Sequence, residues 1–238
     1  MGNNEANLWL EDEGGSPRYF ACLHAGLADW LRIGVMLAGK GHQVLSQESL
    51  RVFRAPGDLN ASYGLNVWLG RNWQPERHYG PTTAFTVPHA EPYLASDVVF
   101  FDGFGGQRVY VVPSAGLVVA RFGEVDMTYD DSIIVNTLLR GLIDAKALNS
   151  RQAYASEASE DLYSRRFEQL LRQARDGLGL SGYDPLAVMP GADEILKLPR
   201  AKATWLDEEA RSWLSDLGAS SNSQALMVWH EGRVVFEE

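Results

Sequence analysis

The segment Phe100–Gly123, FFDGFGGQRVYVVPSAGLVVARFG, leaves this chain the fewest structural options. Two runs of β-branched and aromatic residues flank a Pro113-Ser114-Ala115-Gly116 turn, and a glycine-rich bend at Gly103–Gly106 precedes the first. Such side chains pack well on a pleated surface, and the turn residues reverse the chain. The segment therefore predicts two or three consecutive antiparallel strands. The C-terminus carries a second signal of the same kind. Ala225–Phe236, ALMVWHEGRVVF, is two β-rich runs joined at Glu231-Gly232, which predicts a hairpin.

Helical spacing marks other parts of the chain. Between Leu23 and Leu37, apolar residues recur at Leu27, Trp30, Leu31, Gly34, Val35 and Leu37, with Gly39 and Gly41 placed to end a helix. Within it, Asp29 and Arg32 stand one turn apart and predict a surface pair. Ser46 caps a short helix bearing Leu50, Val52 and Phe53, and Asn66–Leu69 predicts a strand. Residues 70–95, rich in Pro, His and Thr, show no period and predict a long irregular loop of the sort that lines sites. Asp130 or Asp131 caps a helix through Ile133, Ile134, Thr137, Leu138, Leu139 and Leu142. Past Ala145 the composition turns to that of a linker, with a polar helix at Glu157–Gly177 and a surface path over residues 178–203. Thr204–Leu217 predicts a helix with Trp205, Leu206, Trp213, Leu214 and Leu217 on one side. The organisation is thus 1–143, a linker at 144–203, and a helix plus hairpin at 204–238.

Composition excludes several function classes. A length of 238 residues with 45% hydrophobic content and seven tryptophans describes a folded chain with a sizeable core, and the strands and helices read above make its class α+β. Net charge is −10, and only four of the 21 basic residues are lysines, which argues against a nucleic-acid groove and against adsorption on anionic membranes. Cys22 is the single cysteine, so neither an internal disulfide nor a four-cysteine zinc site is possible. It sits among Phe20, Ala21 and Leu23, where a small buried hydrophobe is expected. No apolar stretch reaches a membrane span. Met1–Glu5 lacks the basic and apolar regions of a secretory signal, so a cytoplasmic location is expected.

Two segments carry a resemblance to a known family. Leu23–Gly34, LHAGLADWLRIG, is similar to the A-x-D-x-x-R-x-G helix of the β-lactamase-related serine hydrolases, and Phe100–Gly123 resembles their closing strands. That family includes class C β-lactamases, D-alanine carboxypeptidases (penicillin-binding protein-like enzymes), esterases and 6-aminohexanoate-dimer hydrolases. Ala225–Glu237 resembles the family's opening hairpin, so the order along this chain is permuted. In the family, the first two strands and the last three form one antiparallel sheet, with an all-helical region inserted between them. The resemblance implies a five-stranded antiparallel sheet flanked by helices, without most of the helical region. One sheet face would then lie bare, which implies a homo-oligomer or a companion chain.

The chemistry the resemblance implies is incomplete here. The family uses Ser-x-x-Lys, Tyr-x-Asn or Ser-x-Asn, and a Lys/His-Thr/Ser-Gly strand triplet. The positions three before Lys40, Lys146, Lys197 and Lys202 hold Leu37, Ile143, Glu194 and Pro199, and no tyrosine is followed two residues later by asparagine. Ser220-Ser221-Asn222 fits Ser-x-Asn only formally. The triplet falls at Phe101-Asp102-Gly103, where Gly103 matches and the other two depart. By that resemblance the N–H of Phe104 is the oxyanion donor beside Asp102, which is expected to contact substrate; His78, His89 and Tyr93, which share the irregular loop, are expected to line the substrate site. Gly103, Gly105 and Gly106 equally permit a bulge and close strand packing. His24 is expected to be structural, and the Glu76-Arg77 charges are expected to be solvated. No G-x-S-x-G elbow, P-loop or H-E-x-x-H occurs, and no metal or organic cofactor is expected. Two functions follow as expectations: a partial or split serine hydrolase acting on small esters or amides through an acyl-enzyme, or a non-catalytic binding or assembly module that keeps the sheet.

Overall fold

The computed structural model describes residues 6–10, 15–16, 23–39, 45–79, 86–126, 128–143, 186–189, 195–202 and 206–238. The Glu157–Gly177 helix, Cys22, His42 and Trp205 lie outside these residues. The described residues form an α+β structure with a six-stranded antiparallel sheet, a three-stranded sheet, a two-stranded ribbon and four α-helices.

In chain order the elements are β1 (Ala6–Trp9), β2 (Leu23–His24), α1 (Leu27–Leu37), α2 (Gln47–Phe53), β3 (Trp68–Leu69), β4 (Glu76–His78), β5 (Thr86–Pro88) and β6 (Val99–Gly103). Then follow β7 (Gln107–Val112), β8 (Leu117–Gly123), α3 (Ile133–Ile143), β9 (Leu186–Met189), α4 (Glu208–Ser220), β10 (Ser223–His230) and β11 (Arg233–Glu237). The large sheet runs β11-β10-β8-β7-β6-β3. The C-terminal hairpin therefore joins the central strands: β10 pairs with β8 from Ser223↔Gly123 to His230↔Leu117. The expected five strands are all present in one sheet. The count is corrected to six, because Trp68↔Phe100 and Leu69↔Val99 add β3 at the edge.

Strict alternation along the strands gives the sheet two apolar faces. Phe100, Tyr110, Val112, Leu117, Val119, Leu226 and Val228 face α3 and α4, meeting Ile134, Val135, Leu138, Trp213, Leu214 and Leu217. Val99, Val109, Val111, Val118, Ala120, Met227 and Trp229 face the other way, toward Leu31, Val35 and Leu37 of α1 and Leu50 of α2. The expected bare face is therefore corrected. The helix read from the Leu27–Leu37 spacing lies on it and removes the reason for an exposed apolar patch.

Caps and turns follow local chemistry. Ser46 accepts from the Ser49 N–H at 3.0 Å and starts α2, and Asp207 accepts from the Ala210 N–H at 2.8 Å and starts α4. Asp97 holds both the N–H and the hydroxyl of Ser114 at 2.7 Å, fixing the β7–β8 turn. Leu23–His24 is a strand beside β1, so α1 begins at Leu27. The supposed linker contributes β9, which pairs with β1, while Pro199 and Ala201 bond the backbone of Val234 and cover the β11 edge. The irregular loop at 70–95 contains the β4–β5 ribbon, with Arg77 opposite Val87. These elements were missed because runs of two to four residues show no period.

Candidate functional site

Three strands bring charge to one end of the inward face. Asp102 on β6 lies opposite Arg108 on β7, and Arg108 lies opposite Arg121 on β8. All three are in phase with apolar core positions, and all three are buried. A charge there must be matched inside the protein.

The match for Asp102 and Arg108 comes from two other elements. Arg77 of β4 and Asp131, just before α3, complete a closed ring in which each arginine bridges both carboxylates. Asp131 takes Arg77 Nε and Arg108 Nε, both at 2.7 Å. Asp102 takes Arg108 Nη1 at 2.5 Å and Arg77 Nη2, and it also accepts from the Tyr79 hydroxyl at 2.8 Å. The Arg77 guanidinium lies 4.1 Å from the centre of the Trp68 ring and near the rings of Tyr79 and Phe100. Burial works against the charged forms, but opposite charge at this range outweighs it. Arg77 and Arg108 are held above the ordinary arginine range by Asp131 and Asp102, and Asp131 is held below the usual carboxylate range by Arg108 and Arg77. Burial and the Asp102 charge push the Tyr79 hydroxyl up, so it stays a proton donor.

Arg121 is matched differently. It donates to the carbonyls of Gly106 at 2.7 Å, Ser221 at 2.7 Å and Asn222 at 2.8 Å, and to the Ser223 hydroxyl at 3.2 Å. Burial depresses its proton affinity. The Tyr129 ring lies 4.7 Å from Arg121 and 5.3 Å from Arg108, and burial raises its hydroxyl to about 12. Arg121 thereby ties the glycine corner to the turn between α4 and β10.

The corner itself is a 3₁₀ turn, Phe104–Gly106, in which Gly105 and Gly106 take φ of 70° and 86°. Side chains are rarely tolerated in that region. Arg108 Nη1 also donates to the Gly103 carbonyl at 2.9 Å. In a planar trans peptide the N–H points opposite the C=O, so the Phe104 N–H is turned away from Arg108. Gly105 and Gly106, with Tyr79, Val87, Phe104, Arg108, Asp126 and Tyr129, line a cavity of about 30 Å³. That volume suits one water.

The structure brings some of the expected site residues together and separates others. Gly103 and Phe104 form the corner, with the Phe104 side chain 49% exposed. The Asp102 carboxylate is engaged by two arginines and a tyrosine. The Tyr93 and His89 rings lie 4.6 Å apart, tilted by 55°, and the Tyr93 hydroxyl donates to the Asp131 carbonyl at 3.3 Å. His78 is exposed on β4, apart from them. The expectation of a solvated Arg77 is corrected: it is 6% exposed and belongs to the ring. Asp131 likewise belongs to the ring, and it is Asp130 that accepts from the Ser132 N–H at 2.8 Å near the start of α3. The expected Asp29–Arg32 pair forms at 2.6 Å. In Ser220-Ser221-Asn222, Ser221 bonds the Leu217 carbonyl at 2.8 Å and Asn222 reaches Asp126 at 3.3 Å, so the formal motif is a helix end.

Arg108, Arg121, Asp131 and Tyr129 were not foreseen. A usable signal existed: Arg108 is in phase with Tyr110 and Val112, and Arg121 with Leu117 and Val119. A larger cleft of about 970 Å³ lies at the opposite end of the sheet, between Pro113–Gly116 and His230–Gly232. None of the expected site residues lines it. Among the described residues no group of three His, Cys, Asp or Glu is placed to hold a metal. No protein-family model, curated protein or solved structure matches this chain.

Proposed function

We propose that these residues are the sheet portion of a serine hydrolase related to the β-lactamases, whose nucleophilic serine, lysine and tyrosine come from polypeptide outside residues 1–238. The observation that carries this reading is the β8–β10 register, which joins the 97–123 strands to the C-terminal hairpin in one layer, as the resemblance requires. In this reading a serine hydroxyl attacks the carbonyl of a small ester or amide and loses its proton to the lysine–tyrosine pair. The pair returns that proton to the departing alcohol or amine, water then hydrolyses the acyl-serine ester and restores the serine hydroxyl, and the Phe104 N–H stabilises the transient oxyanion in both steps. The need for a second polypeptide rests on the missing Ser-x-x-Lys motif.

One observation favours a second reading, a non-catalytic binding or assembly module. The triplet position is filled by the Asp102 ion pairs, and the cavity beside it has room for little more than one water. A fluorophosphonate probe with intact-mass detection separates the two. The split hydrolase predicts an unlabelled lone chain and labelling of a co-purified second polypeptide. The binding module predicts no labelled species in the assembly. Labelling of a serine in the lone chain refutes the claim that the nucleophile lies elsewhere.

A further inference from the structure

We propose that His89 is an acid-sensitive latch that holds residues 86–94 against residues 130–136, beside the Asp102–Gly106 end of the sheet. Tyr93 packs on the core, and polar contacts to residues 130–136 fix the backbone on either side of His89. Ala90 N–H donates to Asp130 at 2.8 Å, Leu94 N–H to Asn136 Oδ1 at 2.9 Å, and Asn136 Nδ2 to the Pro92 carbonyl at 2.9 Å. His89 sits in the middle of these anchors. Its N–H bonds the Pro75 carbonyl at 2.9 Å, its carbonyl accepts from the Trp73 indole at 3.0 Å, and its ring is packed on Tyr93. The residue is 5% exposed, and its Nε2 is buried without a hydrogen-bond partner.

A neutral imidazole tolerates that position with a lone pair on Nε2. Protonation places a charged N–H there with nothing to receive it, at the desolvation cost of an unmatched donor. The charged groups facing the ring are Asp131 and Asp130 from the turn before α3, Arg77 from β4, and Glu91 two residues further along the segment. Asp131 is already shared by two arginines, and Asp130 is held by the N–H of Ala90 and the N–H and hydroxyl of Ser132. Burial is the largest influence and lowers the proton affinity of His89, and Arg77 adds to it against the carboxylates. The unlatched segment binds the proton more tightly than the latched one. The latch is therefore intact above an ordinary histidine pKa of about 6.5 and weakens as pH falls below it.

The test is hydrogen exchange on the whole chain, corrected for intrinsic rates, between pH 7.5 and 5.5. Protection of amides 86–94 should fall by up to about tenfold per pH unit below pH 6.5, the limit for one proton, while amides of β7 and β8 keep theirs. His89→Phe, which keeps a ring but cannot titrate, should abolish that fall. A constant protection in the parent chain, or the same fall in His89→Phe, overturns the proposal. Should the variant not fold, the His89 titration in the parent chain, followed by NMR, decides. A midpoint at or above 6.5 overturns the latch, and a lower one supports it. The latch stands without the hydrolase reading, and only its meaning as control of a catalytic corner rests on that reading. A failed probe-labelling experiment leaves the exchange result unchanged.

Discussion

The five strands β6–β8 and β10–β11 and the residues 73–79 and 86–94 that lie against them are held by different physics. The strands are held by apolar alternation, with Val118, Val119, Leu117 and Ala120 all at 0% exposure. Those residues add to the packing of Tyr79, Val87 and Tyr93 a ring of four charges and side-chain bonds to Asp130 and Asn136. Apolar burial is non-directional and spread over many residues, so it degrades gradually. A buried ion ring is directional, and losing one member strands the others. The sheet should therefore tolerate substitution better than those residues do.

Asp131→Ala is the most direct way to break that contrast. It removes the partner of both Arg77 Nε and Arg108 Nε and leaves two guanidinium groups buried against one carboxylate. A loss of about 3–5 kcal/mol is expected, read from the midpoint of urea unfolding. A loss below about 1 kcal/mol would mean that water supports the ring, and the contrast would fail. The pH profile of the parent chain sharpens the same point. The folded Asp131 carboxyl is held below its unfolded value, so its contribution is complete above about pH 4 and is lost as pH falls through the folded pKa. That step is separate from the His89 step, which begins near pH 6.5.

This division also explains what the sequence made legible. Gln107–Val112, Leu117–Gly123 and the C-terminal hairpin carry period-2 alternation with turn residues at the reversals, and these mark strands without tertiary information. The Leu27–Leu37 spacing marks α1, but which sheet face it covers is a tertiary matter. Arg77 looked solvated because Glu76-Arg77 is polar, and its partners Asp102 and Asp131 lie 25 and 54 residues away. Long-range charge pairing leaves no local period. The corner Gly103–Gly106 was visible as a bend, whereas the grip of Arg108 and Arg121 on its carbonyls required the fold.

The apolar face can be tested where it is tightest. A Cβ on Gly34 of α1 would lie 2.5 Å from Val118 Cγ1 and 2.9 Å from Val109 Cγ1. Gly34→Ala forces the helix off the sheet and should cost about 1–3 kcal/mol despite its better helix propensity. Val118→Ala makes room for the new methyl group. The double variant should therefore be less destabilised than the two single losses added together, by about 0.5 kcal/mol or more. Strict additivity in denaturant unfolding would show that α1 does not rest on β8 in solution, and the bare sheet face would return as a real prospect.

The smallest expected effect uses the same charge chemistry as the largest, moved to the surface. Arg200 and Glu237 form an ion pair with side chains 65% and 36% exposed. Water already solvates both groups, so their attraction is screened and is offset by the cost of ordering two long side chains. Glu237→Gln should change stability by less than about 1 kcal/mol, and the difference should shrink when thermal melts are repeated in high salt. The backbone bonds from Pro199 and Ala201 to Val234 cover the β11 edge and are untouched by the change. A loss comparable to that of Asp131→Ala would mean that exposure does not govern what an ion pair contributes here, and the distinction between ring and surface would collapse.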